Sequence, residues 1–296
     1  MENNIIKRIN LHLGAHKTAT THIQKVLRVN KDRLLSHGIK YIPMQNVRRN
    51  ITKAIRVYRN RGVGRTKTVT DIRDFINERF PEDCHTLVLS EENLVGNCRE
   101  IYFKADLYPD AEERLRLLAE ALPACDINVF FSVRQYVDFL PSAYCEFLRH
   151  NDFITFEEFI GRLDLGGEFW VRAVNAIVSV FGRENVHVWP YGQFRGNSVR
   201  IMAELVSSAD IRLSTGVKEA RPSLSDRSVR ALYRLSKELS PAEVRVQVRA
   251  MTDAYPKSEA NTGFMPWNEG QRLFWEGKYE SELVHLRHDG LVMELD

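Results

Sequence analysis

The stretch Asn10-Leu11-His12-Leu13-Gly14-Ala15-His16-Lys17-Thr18-Ala19-Thr20-Thr21-His22-Ile23-Gln24 gathers a glycine, a lysine, three threonines and three histidines. That mixture suits the binding of an oxyanion. Apolar residues between Ile5 and Leu13 predict a short buried strand, and Ile23, Val26, Leu27, Leu34 and Leu35 recur at helical spacing beyond it. A turn joining the two leaves the first helical N–H groups unpaired, at the positive end of the helix dipole. An anion belongs there. Lys17 adds a full charge, and Thr18, Thr20 and Thr21 add hydroxyls. The whole turn, with Gly14, Ala15, His16 and Ala19 supplying backbone, reads as a phosphate cradle. The plainer alternative is a strand-to-helix turn with a solvated lysine.

Two further groups have the right types for chemistry. Thr86-Leu87-Val88-Leu89 predicts a strand running into Ser90-Glu91-Glu92-Asn93-Leu94, and acidic residues just past an inner parallel strand stand where open α/β sheets place ligands. Asp126 to Val133 predicts another strand, near-continuously apolar as in a sheet covered on both faces. Arg134 follows it directly and Ser142 lies eight residues further on. A guanidinium can grip a phosphate through two charge-assisted bonds while a serine hydroxyl donates a third. Viewed singly, Arg134 also reads as a strand cap and Ser142 as an ordinary helix residue.

The first loop is not a Walker A motif, which needs four residues between its glycine and Gly-Lys; only Ala15 and His16 separate Gly14 from Lys17. Gly-x-x-Lys-Thr-x-Thr-Thr after a first strand instead resembles the 5′-phosphosulfate loop of sulfotransferases that use 3′-phosphoadenosine 5′-phosphosulfate. Ala19 stands where many members carry a second glycine or a serine. Arg134 and Ser142 resemble the family's 3′-phosphate motif in type and spacing. Tyr191, closing the strand Val186-His187-Val188-Trp189, resembles the tyrosine that contacts adenine, with Gly192 in place of the usual acidic residue. The resemblance covers about residues 12 to 195. It implies a P-loop-like three-layer α/β fold and sulfuryl transfer to a hydroxyl of a saccharide or glycolipid, as in bacterial carbohydrate-type members. It also implies adenosine 3′,5′-bisphosphate as product and no metal. In such a site Lys17 would stabilise developing charge, and Glu92 ranks first as base, His16 second, with Glu91 beside them. For His12 a core position is the better expectation, and His22 reads as packed or solvated. The rival functions are a nucleotide-dependent kinase, for which neither a Walker A loop nor a metal-holding aspartate can be placed, and a non-catalytic anion-binding module.

The elements that must position these groups follow from periodicity. Strands at 39–42, 86–89, 126–133 and 186–189 alternate with helical patterns near 72–76, 109–122, 134–149, 155–163 and 169–181, which predicts a mostly parallel sheet wrapped by helices. From residue 197 the pattern is helical, at 197–207, 225–239 and 241–254, with Arg221-Pro222-Ser223-Leu224-Ser225 opening a helix. A single domain over 1–296 is expected, with its core at about 5–195 and a helical part at about 196–296. Residues 45–68 are strongly basic, with Arg48, Arg49, Lys53, Arg56, Arg59, Arg61, Arg65 and Lys67. A solvated helix face is the favoured reading, and a rim attracting an anionic acceptor the functional one. The chain holds 296 residues, 44% hydrophobic and 27% charged, with a formal charge of +3, which makes no general case for nucleic acid. Neither a signal peptide nor a spanning helix is read. Cys84, Cys98, Cys125 and Cys145 form no Cys-x-x-Cys pair, which points to reduced thiols and the cytoplasm. Oligomeric state is not legible.

Overall fold

A computed structural model describes residues 6–62, 64–216 and 223–295, with Arg61 described by its backbone alone. Ile5, the expected start of the first strand, and Arg221-Pro222 lie outside the described residues, as does the Arg61 side chain. Five strands form one parallel sheet: β1 (Arg8–His12), β2 (Ile39–Ile42), β3 (Thr86–Ser90), β4 (Asp126–Val133) and β5 (Val186–Pro190). Their order is β2-β3-β1-β4-β5. Successive side chains of a strand point to opposite faces. Ile9, Leu11, Leu87, Leu89, Val129 and Phe131 therefore enter a larger core on one face, and Val88, Phe130 and Trp189 a smaller one on the other. Both faces are apolar because parallel strands are joined by covering helices.

On the smaller side lie α1 (Thr20–Val29) and α2 (Lys31–Leu35), where a single helix is expected from sequence. Asn30 breaks it. Its amide nitrogen donates to the Val26 carbonyl at 2.8 Å and to the Ser214 carbonyl at 3.0 Å, while its oxygen accepts from the Ser214 amide at 2.9 Å. Leu35, past the break, is exposed. After β2 the chain forms α3 (Met44–Val47), a π turn (Arg48–Thr52), α4 (Lys53–Arg61) and α5 (Arg65–Asn77). There follow α6 (Glu100–Phe103), α7 (Ala111–Ala121), α8 (Tyr136–Leu148), α9 (Phe156–Ile160) and α10 (Phe169–Phe181). The remaining helices are α11 (Phe194–Leu205), α12 (Asp226–Leu235), α13 (Pro241–Ala254) and α14 (Glu269–His288). Among the described residues, no helix is long and apolar enough to cross a membrane.

Helix α14 is not legible in the sequence, where two glycines and scattered charges blur its stripe. It packs on α8 and α10 through Trp275, Tyr279, Leu283 and Leu286. The chain then returns to the β5 edge, where the Val188 amide donates to the Leu291 carbonyl at 2.9 Å and the Met293 amide to the Val188 carbonyl at 2.7 Å. That contact covers part of an otherwise open strand edge.

One topological consequence positions the site. From β1 the chain turns toward β2 on one side, whereas from β4 it turns toward β5 on the other. The carboxyl ends of β1 and β4 therefore flank a crevice of the kind that receives ligands in α/β sheets. The loop after β1 and Arg134 after β4 become neighbours.

Candidate active site

The loop between β1 and α1 is tied down at its start, where the Leu13 and Gly14 amides donate to the Phe130 carbonyl at 3.0 and 3.4 Å. Gly14 has φ +46°, and a Cβ there would lie 2.4 Å from Thr20 Cγ2, so only glycine fits. Lys17 (φ 66°) and Ala19 (φ 62°) also adopt the left-handed region, which non-glycine residues enter at a cost of order 1–3 kcal/mol. The amides of Ala19, Thr20 and Thr21 donate to no group among the described residues, and no side chain caps α1. Thr20 and Thr21 line the adjoining cleft beside His16 and Lys17. Thr18 does not present a hydroxyl as expected: it is fully buried and donates to the Ala15 carbonyl at 2.6 Å, bracing the loop from within. Gly14 and Ala15 are buried beneath it.

Arg134 closes this loop from the β4 side. Its Nη1 donates to the Lys17 carbonyl at 2.5 Å, its guanidinium carbon lies 4.8 Å from the centre of the Tyr191 ring, and its buried Nε has no partner among the described residues. The Trp170 indole N–H donates to the Arg134 carbonyl at 2.9 Å and fixes the chain there. Lys17, Arg134 and Tyr191, distant in sequence, thus stand together. Ser142 does not join them; it is half-buried on α8, and of the four only Lys17 and Tyr191 line the cleft, with Arg134 set behind them.

Glu91 and Glu92 follow β3, the other neighbour of β1, and have different surroundings. Glu91 is fully buried and held by Arg48 Nε at 2.9 Å and by the Asn93 amide at 2.9 Å. Glu92 lines the cleft, accepting from Gln24 Nε2 at 2.8 Å and from Arg48 Nη2 at 3.1 Å. Burial alone would push its carboxyl up; His16, the residue's own amide, Arg48 and Gln24 outweigh that and hold it below the ordinary carboxylate value. His16 is itself pulled down by burial, against the opposing pull of Glu92. Both His16 ring nitrogens are occupied: Nδ1 faces the Tyr108 hydroxyl at 2.9 Å and Nε2 faces Asn93 Oδ1 at 3.3 Å. The Tyr108 oxygen also accepts the His16 amide at 3.0 Å. Tyr108 and Asn93 thus already engage both ring nitrogens of His16.

No protein-family model and no curated protein matches this chain. Among solved structures, it is similar to a sulfotransferase from Alicyclobacillus acidocaldarius, at 17% identity over 82% of this chain and 97% of that one, with a TM-score of 0.41.

Several site residues escape sequence reasoning. Glu146, at the end of α8, meets Lys17 Nζ at 3.3 Å and His150 Nε2 at 3.2 Å. Burial pushes its carboxyl up, but the Lys17 charge prevails and holds it below the ordinary value. Nothing in the sequence ties Glu146 to Lys17, 129 positions away. Arg48 carried a signal as part of the basic run and Glu91 as one of the acidic pair after β3, but nothing in the sequence joined the two. His12 occupies the core as expected, with Nδ1 2.8 Å from Ser90 Oγ and its ring stacked on Trp189; burial pulls it down to about 4. His22 is half-buried with its ring edge against Phe194. The resulting cleft encloses about 1580 Å³, and its walls include Arg48, Thr52, Lys53, Arg56, Arg59 and Asn60 from the basic run. Among the described residues, no three His, Cys, Asp or Glu side chains are grouped to hold a metal.

Proposed function

We propose that this chain transfers a sulfuryl group from 3′-phosphoadenosine 5′-phosphosulfate to an acceptor hydroxyl, releasing adenosine 3′,5′-bisphosphate. The observation that carries the reading is the meeting of Lys17, the open amides of Ala19, Thr20 and Thr21, and the Arg134 guanidinium at one crevice. Two anion-binding groups side by side suit a carrier with negative groups at both ends. The residues present fit such a donor: α1 opens on unpaired amides, Arg134 keeps a buried Nε without a partner, and the Tyr191 ring lies against the same guanidinium. When bound, the donor would supply the activated sulfuryl group.

Sulfuryl transfer follows the logic of phosphoryl transfer, where the protein contributes position and charge rather than covalent chemistry. Lys17, turning from Glu146, neutralises charge growing on the leaving oxygen, and the α1 amides add donors that need no reorganisation. Arg134 holds the ribose phosphate and Tyr191 the adenine. Glu92, ionised and facing the cleft, takes the acceptor proton. A positioned base of this kind is worth about 10² to 10⁴ in rate, or roughly 3 to 5 kcal/mol. The acceptor we infer is a saccharide or glycolipid, the class that the resemblance implies, and the cleft of about 1580 Å³ exceeds the roughly 300–1,000 Å³ that one drug-sized ligand fills, which leaves room for it beside the donor. The test is transfer of radiolabelled sulfate from the donor to a panel of hydroxyl acceptors. Lys17→Ala is expected to lower turnover by about 10²-fold or more, as loss of a charge-stabilising group does. Undiminished turnover in that variant would remove the mechanism.

A further inference from the structure

The cleft runs across the carboxyl edge of the sheet. Residues after β5 (Tyr191, Gly192, Arg195) line one end, those after β2 (Lys53, Arg56, Asn60) the other, and those after β1 and β3 the middle. Four strand spacings separate the ends, about 19 Å. Tyr191 lines the β4–β5 end with the Arg134 guanidinium against its ring, which leaves the α4 end beyond Glu92 for whatever is not donor.

Charge at that end is not balanced internally. Glu91 and Glu92 are engaged by Arg48, Asp110 by Arg59 and Lys104, Glu113 by Arg59, and Glu100 by Arg114. Lys53, Arg56 and Arg99 line the cleft with no carboxylate partner among the described residues, and all three are exposed. Lys53 and Arg56, three apart on α4, share one helix face. Phe103 lines the same cleft with 54% of its surface exposed and its ring centre 6.0 Å from that of Phe147, and Asn60, Asn97 and Asn151 are also among the lining residues.

We propose that this end is a subsite for an acidic saccharide, whose carboxylate or sulfate meets Lys53, Arg56 and Arg99 while a sugar ring rests on Phe103. The inference rests on the sulfuryl-transfer reading and narrows its acceptor to one already carrying negative charge. Unpaired cations next to an exposed ring discriminate by charge first and by ring face second. Neutral saccharides satisfy only half of that surface.

The protein saturated with adenosine 3′,5′-bisphosphate is titrated with a labelled sulfated uronic-acid hexasaccharide and with an uncharged hexasaccharide. The acidic probe is expected to bind at least about tenfold more tightly, and added salt to weaken it. The double variant Lys53→Glu/Arg56→Glu is expected to lose about tenfold or more, Phe103→Ala several-fold by loss of the ring contact, and Arg49→Glu, exposed but outside the cleft, nothing. Equal binding of the neutral probe, full affinity in the double variant, or equal competition by anionic phospholipid vesicles would overturn the subsite. Bisphosphate binding is read separately by thermal shift. If it fails while acidic-saccharide binding persists and is lost in the double variant, the donor assignment falls and the saccharide surface stands.

Discussion

Glu92 and Glu146 both face the cleft, and their neighbours assign them different work. Glu146 pairs at 3.3 Å with Lys17, the group assigned to the leaving oxygen, whereas Glu92 pairs at 3.1 Å with Arg48, which it shares with Glu91, and accepts from the neutral Gln24 amide. Glu92→Gln is therefore expected to cut kcat by about 10² to 10⁴ while leaving the affinity for adenosine 3′,5′-bisphosphate near that of the parent. Glu146→Gln frees Lys17 and should affect kcat less. The pH profile separates the bases. A carboxyl held below its ordinary value is ionised at lower pH, so the acid limb of kcat/KM should lie below the usual carboxylate range and activity should be level above about pH 5. An acid limb near pH 6 to 7 would instead indicate a histidine and would remove Glu92 from the base role.

At the scale of elements, the arginine-headed helix α8 is held by a contact from far along the chain. Glu282 on α14 is 1% exposed; it accepts the Tyr136 hydroxyl at 2.9 Å and the Trp170 amide at 2.7 Å, with Lys278 Nζ 3.6 Å away. It thereby caps the start of α10 and anchors the first residue of α8 with one carboxylate. Glu282→Ala leaves those donors unpaired and Lys278 with the Gly167 carbonyl and the Phe169 ring but no carboxylate, at an expected cost of about 3–5 kcal/mol. Thermal denaturation should then show a fall of about 10 °C, and weaker bisphosphate binding should follow as Arg134 loses its support. A loss under about 1 kcal/mol would mean that α14 does not brace the site. The π turn at Arg48–Thr52 has a comparable role, since it joins α3 to α4 where Arg48 reaches both glutamates.

For the whole molecule, a ligand that binds only the folded chain raises its melting temperature. Adenosine 3′,5′-bisphosphate at about 100 times its Kd should add about 2.7 kcal/mol without added magnesium. ATP, with no 3′-phosphate for Arg134, should add much less. Equal shifts from both would count against the two-anchor site. The strand-to-strand order behind that site was only partly legible. The β-strands and most helices were readable because apolar periodicity of 2 or 3.6 is local information, and Gly14 to Thr21 announced itself because a tight anion loop needs particular residues in immediate succession. Helix α14 was hidden because it buries a broken stripe with a carboxylate inside it, and α1 and α2 read as one because the Asn30–Ser214 bonds that part them span 184 positions. By itself, then, the sequence determined the elements, the loop and the presence of Arg134, Glu92 and a basic run. Tertiary structure alone decided that β1 and β4 are neighbours, that Thr18 turns inward, that Ser142 stays out of the cleft, that His16 is already occupied and that Glu146 meets Lys17. The physical reason is that those outcomes depend on strand order and on buried charge pairing, which arise only when segments far apart in the chain compete for the same few ångströms of space.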